Sequence, residues 1–476
     1  MKALTITELV TATGGKLVVA AATAAVSSVT TEKMVTAVST DTRSIHSGSL
    51  FVALRGDNFD GHAFAATAVE HGAACLMLDE LPKDTGSIGV PILLVENTLY
   101  GLQRLARWYR RQLEIKVVAI TGSNGKTSVK DFAASVVSQQ FKVNATKGNL
   151  NNHIGLPLSV LATEEDDEVC IWEMGMNHAG EIEPLCEIAA PEIGIITNIG
   201  KAHIEFLGSR EGIAEEKAAL ARALPDHGTL IVTASCDYVD YLIGHTHANV
   251  LVAGNGRGTV RAEDLKITEA GSAFNLCIDG EDAVAVEIGV SGRHMVNNAL
   301  LAAAAGHALG MKAPEIANGL NAAILTSGRL RCYSSAGITV FDDTYNANPD
   351  SVVAAIETIA ELSLNNGSRR VVVLGMMGEL GIHADEEHLR VGKLAAEKGL
   401  QVVSVGELAE KIYQGAQTVD KKAKQFNDKD SAALWLKDFC KEGDIVLFKG
   451  SRMAGIEEVM NQAFPPTQTT TPSDQN

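Results

Sequence analysis

The sequence predicts an α/β protein of three domains. Short β-branched runs alternate with amphipathic helical stretches, the pattern of mostly parallel sheets with helices on both faces. One such run, Lys116–Ile120, leads straight into a glycine-rich turn that opens a helix. And 476 residues are too many for one ordinary core, so about two to four domains are expected.

The first region runs to about residue 98. It is mixed, with a short strand expected at Ser49–Leu54 and an Ala-rich helix at Phe64–His71. The apolar stretch Leu17–Val26 reads as a strand–turn element. Glu8 and a weakly basic start argue against a signal-peptide core there. Thr98–Gln112 reads as a connecting helix. The second region, 99–326, carries strands at Lys116–Ile120, Val169–Trp172, Ile193–Asn198 and Thr229–Thr233, with helices between. In the third, 327–462, strands are expected at Gly337–Asp342, Val371–Leu374, Gln401–Val405 and Asp444–Phe448, forming a smaller α/β domain. The Thr-, Gln- and Pro-rich tail, 463–476, has no apolar face, so disorder is expected.

Bulk composition narrows the function. Hydrophobic residues at 46% and charged residues at 21% give a globular balance. A formal net charge of -18 excludes the positive face that a duplex-binding protein needs, so no nucleic-acid partner is expected. An anionic ligand must then be held by a few placed Lys and Arg residues and by backbone N–H groups. The seven cysteines are scattered, odd in number and never paired as C-x-x-C, which fits a reducing cytoplasm. No apolar run is long enough to cross a bilayer, so no membrane insertion is expected.

The strongest chemical signal is Thr121-Gly122-Ser123-Asn124-Gly125-Lys126-Thr127-Ser128. After it, Val129, Phe132, Ala133, Val136 and Val137 form one apolar helical stripe. Strand, glycine-rich turn and helix together present N–H groups and a positive helix end to a phosphate. Lys126 would reach the terminal phosphates, and the Thr127 hydroxyl would ligate Mg²⁺. The usual first glycine of G-x-x-x-x-G-K-[ST] is replaced by Ile120. Glu173 ends an apolar strand, where it is either a metal ligand or a plain surface acid. His203 follows the strand Ile193–Asn198 and is expected at a third strand tip, where it is either structural or a metal ligand. Lys217 shares a helical stripe with Ile213, Leu220 and Leu224, on a helix that Ser209 can cap. On spacing alone a packed stem with a snorkelling ammonium is favoured over a desolvated, reactive amine. Dense polar clusters at Thr40–Arg43, Asn149–His153, Asp342–Pro349 and Lys449–Arg452 are either turns or hydrogen-bonders for a nucleotide-sugar and an adenosine.

Taken together, T-G-S-N-G-K-T-S, the E-M-G of Glu173–Gly175, the G-N-L-N-N-H-I-G of Gly148–Gly155, the G-R-H-M-V-N-N-A-L of Gly292–Leu300 and D-D-T-Y-N-A-N-P resemble the Mur ligase family, from about Thr40 to Arg452. Within it, D-T-Y-N-A-N, the G-M-M-G-E-L-G of Gly375–Gly381 and K-G-S-R resemble the D-alanyl-D-alanine-adding member. The D-N-P-R of the diaminopimelate-adding member is absent. The resemblance implies a central P-loop parallel-sheet ATPase domain flanked by a small mixed N-terminal domain and a Rossmann-like C-terminal domain. It implies a cytoplasmic, monomeric enzyme that uses ATP and Mg²⁺ to join D-alanyl-D-alanine to UDP-N-acetylmuramoyl-tripeptide.

It also implies roles. Asp41, Thr42 and Arg43 would bind the UDP end, and Asn151 and Asn152 would lie near the UDP-sugar. Glu173 and His203 would be metal ligands. Lys217 matches a lysine carried as a carbamate, placed with the metals. Asn298 would face adenine, Arg329 the γ-phosphate and Asp343 the ribose. Gly122 to Ser128 would cradle ATP, with Lys126, Lys217, His203 and Arg329 as the catalytic set. Met295 stands where the family usually has Asn. A related amide ligase such as a folylpolyglutamate synthetase, a kinase and a nucleotide-sensing module are the rival readings.

Overall fold

The structure, a computed structural model, describes residues 1–19, 34–56, 58–83, 88–364 and 366–466. The first unit is a five-stranded mixed sheet of Lys16–Val18, Ile92–Leu94, Ala73–Leu78, Ser49–Val52 and Ala37–Ser39, in that spatial order. Its middle strand, Ala73–Leu78, is buried along its whole length, as its unbroken apolar run demands. Only the strand at Lys16–Val18 represents the apolar Leu17–Val26 stretch, whose remainder from Ala20 on lies outside the described residues.

Helix α1 (Thr98–Arg110) leads into the second unit. The Asn97 side chain accepts the Tyr100 N–H to cap it, and Leu102, Leu105, Ala106 and Tyr109 form its buried face.

The central sheet has nine strands: β1 (Lys116–Thr121), β2 (Val143–Ala145), β3 (Val169–Glu173), β4 (Ile193–Ile196), β5 (Thr229–Thr233), β6 (Asn249–Asn255), β7 (Val260–Thr268), β8 (Gly271–Ile278) and β9 (Val284–Ile288). Their order is β2-β3-β1-β4-β5-β6-β7-β8-β9. Pairing is parallel as far as β7, and the last two pairs are antiparallel. The chain leaves β1 for β2 and β3 on one side and crosses to β4 on the other. The carboxyl end of β1 is therefore the switch point at which open α/β sheets bind ligands. Helices α2 (Lys126–Val137), α3 (Arg210–Ala223), α4 (Arg293–Ala308) and α5 (Ala313–Asn321) belong to this unit. All five residues of the predicted α2 stripe are buried.

The third unit is a six-stranded sheet: β10 (Arg331–Ser335), β11 (Ile338–Asp343), β12 (Arg370–Leu374), β13 (Gln401–Val405), β14 (Lys424–Phe426) and β15 (Ile445–Lys449). The order is β10-β11-β15-β12-β13-β14, with only the first pair antiparallel. Helix α6 (Pro349–Glu361) follows β11, capped by Asn348, whose side chain accepts from Ser351 N, with Pro349 in its first turn. The last helix runs to Ala463, the first residue of the expected tail. Residues 467–476 lie outside the described residues.

Candidate active site

The turn after β1 is built for two glycines. Gly122 has φ +148°, and a Cβ there would lie 1.8 Å from Thr197 Oγ1. Gly125 caps α2 at φ +81°, where a Cβ would lie 2.6 Å from Asn298 Oδ1. The segment after β4 braces the turn. Ser123 N–H donates to Asn198 O at 3.1 Å, Asn124 N–H to Asn198 Oδ1 at 3.0 Å, and the Thr197 hydroxyl to Asn124 O at 2.5 Å. The turn is thereby held open in front of the first turn of α2, whose N–H groups lack intrahelical acceptors. Ile120, at the departure from the usual pattern, is a buried strand residue and not part of the turn.

A cavity of about 700 Å³ opens there, lined from both the central and the third units. Lys126 Nζ donates to Gly122 O at 2.7 Å. The Thr127 hydroxyl donates to Glu173 Oε2 at 3.3 Å and accepts from Arg329 Nη2 at 3.2 Å. Asn151 Nδ2 lies 3.5 Å from the same Glu173 oxygen. Glu173 Oε1 is buried without a partner, so this carboxylate keeps an unused acceptor facing the cluster. The Arg329 guanidinium stacks 4.1 Å from the centre of the Tyr345 ring. Lys449 Nζ bonds Asp343 Oδ2 at 2.5 Å and Asn346 O at 3.0 Å. Asn348 Nδ2 donates to Asn124 Oδ1 at 2.6 Å, so the third unit touches the turn itself.

The electrostatics is that of an anion site. Burial lowers the Lys126 pKa, Arg329 lowers it further, and Glu173 opposes both. Lys217 is 1% exposed, and its pKa falls well below the ordinary lysine value, first by burial and then by repulsion from Lys126. Glu173 and Glu379 favour the Lys126 cation, and Glu216 that of Lys217. His294, on the cavity wall, is held down to about 4 by burial against the pull of Asp343. The unfolded chain takes up that proton near pH 6.5 and the folded chain only near pH 4, so acidification across that window destabilises the fold. His294→Gln should flatten the fall of melting temperature between pH 6.5 and 4.5. An unchanged slope would mean that other groups set it.

The structure brings Ser123 to Ser128, Asn151, Asn152, Glu173, His203, Asn298, Arg329 and Asp343 to one cavity, with Gly122 just behind its lining. The Asn152 side chain is engaged locally, accepting from Gly155 N at 2.9 Å. One expectation needs correction, and two sets of expected site residues lie outside the cavity lining. His203 is not at a strand tip: β4 ends at Ile196, and His203 opens a one-turn helix with φ +63°. Its Nδ1 lies 2.6 Å from Glu379 Oε2 of the third unit. Lys217 sits close enough to Lys126 to feel its charge but does not line the cavity. Asp41, Thr42 and Arg43 are also not among the lining residues. They form a one-turn helix in the first unit, with Asp41 capping Arg43 N and pairing with its guanidinium at 2.6 Å. That pairing lowers the Asp41 pKa to about 2. Met295 fills the place of the expected Asn with a sulfur 3.7 Å from Asn298 Nδ2. Asn348, Tyr345, Glu379, Lys449 and His294 had no assigned role, although all lie in segments whose density of polar residues or glycines marked them.

The fold and the cavity define a nucleotide-site protein of one family. Family models match along the chain: "Mur ligase family, catalytic domain" at 34–109, "Mur ligase middle domain" at 120–306 and "Mur ligase, glutamate ligase domain" at 328–452. The chain belongs to the Mur ligase family. It is 36% identical over 437 residues to the UDP-N-acetylmuramoyl-tripeptide–D-alanyl-D-alanine ligase of Bacillus subtilis, covering 89% of this chain and 92% of that one. The Escherichia coli enzyme of the same name is 36% identical over 431 residues, with the same coverage. Among solved structures, MurF of Acinetobacter baumannii superposes with a TM-score of 0.88 at 30% identity, covering 97% of this chain and 99% of that one. MurF ligase of Thermotoga maritima in complex with ADP superposes with a TM-score of 0.79 at 27% identity, covering 90% and 96%.

Proposed function

We infer that this chain joins D-alanyl-D-alanine to UDP-N-acetylmuramoyl-tripeptide, with ATP becoming ADP and phosphate, in peptidoglycan precursor synthesis. The observation that carries the reading is the Lys126–Thr127–Glu173–Arg329 cluster at the mouth of a phosphate turn, in a chain whose relatives bear that name along nearly their whole length.

The assignment of parts follows the resemblance to the family. The turn and Lys126 hold the terminal phosphates, and Arg329 approaches them from the third unit. Asn298 and Asp343 flank the adenosine. Asn151 and Asn152 face the sugar, and Asp41 to Arg43 the UDP end. Mg²⁺ would be held by the hard oxygens of the Thr127 hydroxyl and Glu173, whose buried Oε1 has no hydrogen-bond partner among the described residues, with His203 lining the same cavity; no group of three His, Cys, Asp or Glu side chains is gathered for a metal among the described residues. When bound, the ion offsets the repulsion between triphosphate and carboxylate. Lys126 and Arg329 do the same from fixed positions, which lets the peptide carboxylate attack the γ-phosphate. The acyl phosphate so formed has a good leaving group. An α-amino group, with a pKa of about 7.7–8.0, is neutral enough near pH 7 to displace it without a strong base. The remaining work is positioning. No helix among the described residues is long and apolar enough to cross a membrane, and none of the seven cysteines is in a disulfide, in keeping with a reducing compartment.

Phosphate release should require both the UDP-tripeptide and the dipeptide, and D-alanyl-D-alanine should outcompete diaminopimelate and free D-alanine. Measuring phosphate and amide with each substrate alone, and then together, tests this. Rapid phosphate release without either substrate would make the chain a nucleotide switch. A stable phosphorylated product would make it a kinase. Preferential diaminopimelate incorporation would move it to another member of the family.

A further inference from the structure

Three side chains spaced four residues apart on α2, Thr127, Asp131 and Ser135, all meet the segment that leaves the central unit. Ser135 Oγ donates to Gly319 O at 2.7 Å. Asp131 Oδ2 accepts the Thr326 backbone N–H at 2.8 Å. Thr127 Oγ1 accepts from Arg329 Nη2 at 3.2 Å. Positions i, i+4 and i+8 share one helix face, and their partners follow in reverse order along the chain. The segment 319–329 therefore runs back along the phosphate-loop helix toward its first turn.

The middle tie is the informative one. Among the described residues, it is the one hydrogen bond made by residues 324–327. Ile324 is 89% exposed, and Leu325 is the one residue of 324–327 whose side chain packs on the core among the described residues. Just beyond, Gly328 and Leu330 take φ values of +76° and +56°, the latter unusual for a residue with a side chain. The chain thus turns sharply between its last attachment to the central unit and β10. Asp131 is itself immobilised. Its Oδ1 lies 2.7 Å from Lys130 Nζ, both side chains are 10% exposed, and Lys130 Nζ also reaches Thr146 O at 3.4 Å. A buried, doubly engaged carboxylate is a costly way to hold a surface linker unless the position of the linker matters.

We propose that Asp131 is a positioning residue: it pins the linker at Thr326 to the phosphate-loop helix, and so sets the register in which Arg329, three residues on, reaches Thr127. The proposal rests on the reading of Arg329 given above and adds the residue through which Arg329 is aimed. Asp131 touches neither nucleotide nor peptide.

The test uses the full chain. Wild-type amide formation is measured first, and its absence would sink the functional reading rather than this one. Given activity, Asp131→Ala should lower kcat by at least about fivefold, with KM for ATP and the UDP-peptide within about threefold. In an Arg329→Lys background the same change should cost less than about twofold more, because its effect runs through that arginine. The paired variant Lys130→Met/Asp131→Asn removes both charges yet keeps an acceptor for Thr326 N–H, and should retain kcat within about threefold. Hydrogen exchange on the wild type should show a protected Thr326 amide, a readout that needs no variant to fold. A smaller fall in kcat overturns the proposal. So does an undiminished loss in the Arg329→Lys background, a paired variant as slow as Asp131→Ala, or a freely exchanging Thr326 amide.

Discussion

Lys126→Ala is expected to abolish amide formation and leave a folded protein. The lysine emerges from the first turn of α2 and donates to Gly122 O across its own turn, so its ammonium is already placed where a terminal phosphate would sit. Removing one such fixed donor from a water-poor site costs about 10²–10³ in rate, and here the donor also carries a charge that offsets the triphosphate. Stability should not suffer. The Lys126 ammonium is disfavoured by burial and by Arg329, and it in turn depresses Lys217, so its loss relieves like-charge repulsion. Product formation and a thermal melt on the same sample decide the matter. A folded variant with turnover within about tenfold of wild type would remove the phosphate-turn assignment.

Lys217 is expected to carry a carbamate in the active enzyme, and Lys217→Ala to lose most activity. Ser209 caps α3 by accepting Gly212 N–H at 3.2 Å, and Ile213, Lys217, Leu220 and Leu224 are all buried. Neither a hydrogen bond nor an ion pair of its amine is found among the described residues, which does not fit the snorkelling stem that spacing alone favours. Burial and Lys126 together favour the neutral amine. A neutral amine adds CO₂ with loss of a proton, and the resulting anion both balances Lys126 and supplies hard oxygens suited to Mg²⁺. ¹³C NMR of folded enzyme equilibrated with ¹³C-bicarbonate should show the adduct. A short carboxylic acid should partly restore Lys217→Ala. Full activity of Lys217→Ala, with no carbamate signal in the wild type, would leave this lysine as packing.

What could be read beforehand follows from where the physics is local. β1, its turn and α2 were legible because a buried parallel strand reads as an unbroken β-branched run, and because the turn tolerates only glycine at positions 122 and 125. The edge strands β7 to β9 were not foreseen. Val260–Thr268 carries Arg261, Glu263, Asp264 and Lys266 on a half-exposed ribbon, which without its partners resembles a polar loop. Ties such as Asn348 to Asn124 and Arg329 to Thr127 join residues more than two hundred positions apart, and Asp131 meets a backbone N–H that no side chain announces. The left-handed turn at His203, which strand periodicity does not announce, carries that ring past the expected strand tip and sets it against Glu379 of the third unit.

The crowding around α2 also bears on how the molecule is made. Gly306 of α4 and Gly319 of α5 stand where a Cβ would lie 2.8 Å from Val136 Cγ1 and 2.4 Å from Val136 Cα, so both helices press on the back of the phosphate-loop helix. A ribosome releases β1 and α2 long before either. At about 5–20 residues per second, some ten to forty seconds pass between the synthesis of Val137 and that of Asn321. Through that interval the stripe of Val129, Phe132 and Val136 has the strands β1 to β3 to pack on and lacks the cover of α4 and α5. A nascent chain of this design spends its most aggregation-prone moments with its nucleotide-binding helix half-clothed, and nucleotide can stabilise it only once two-thirds of the polypeptide has emerged.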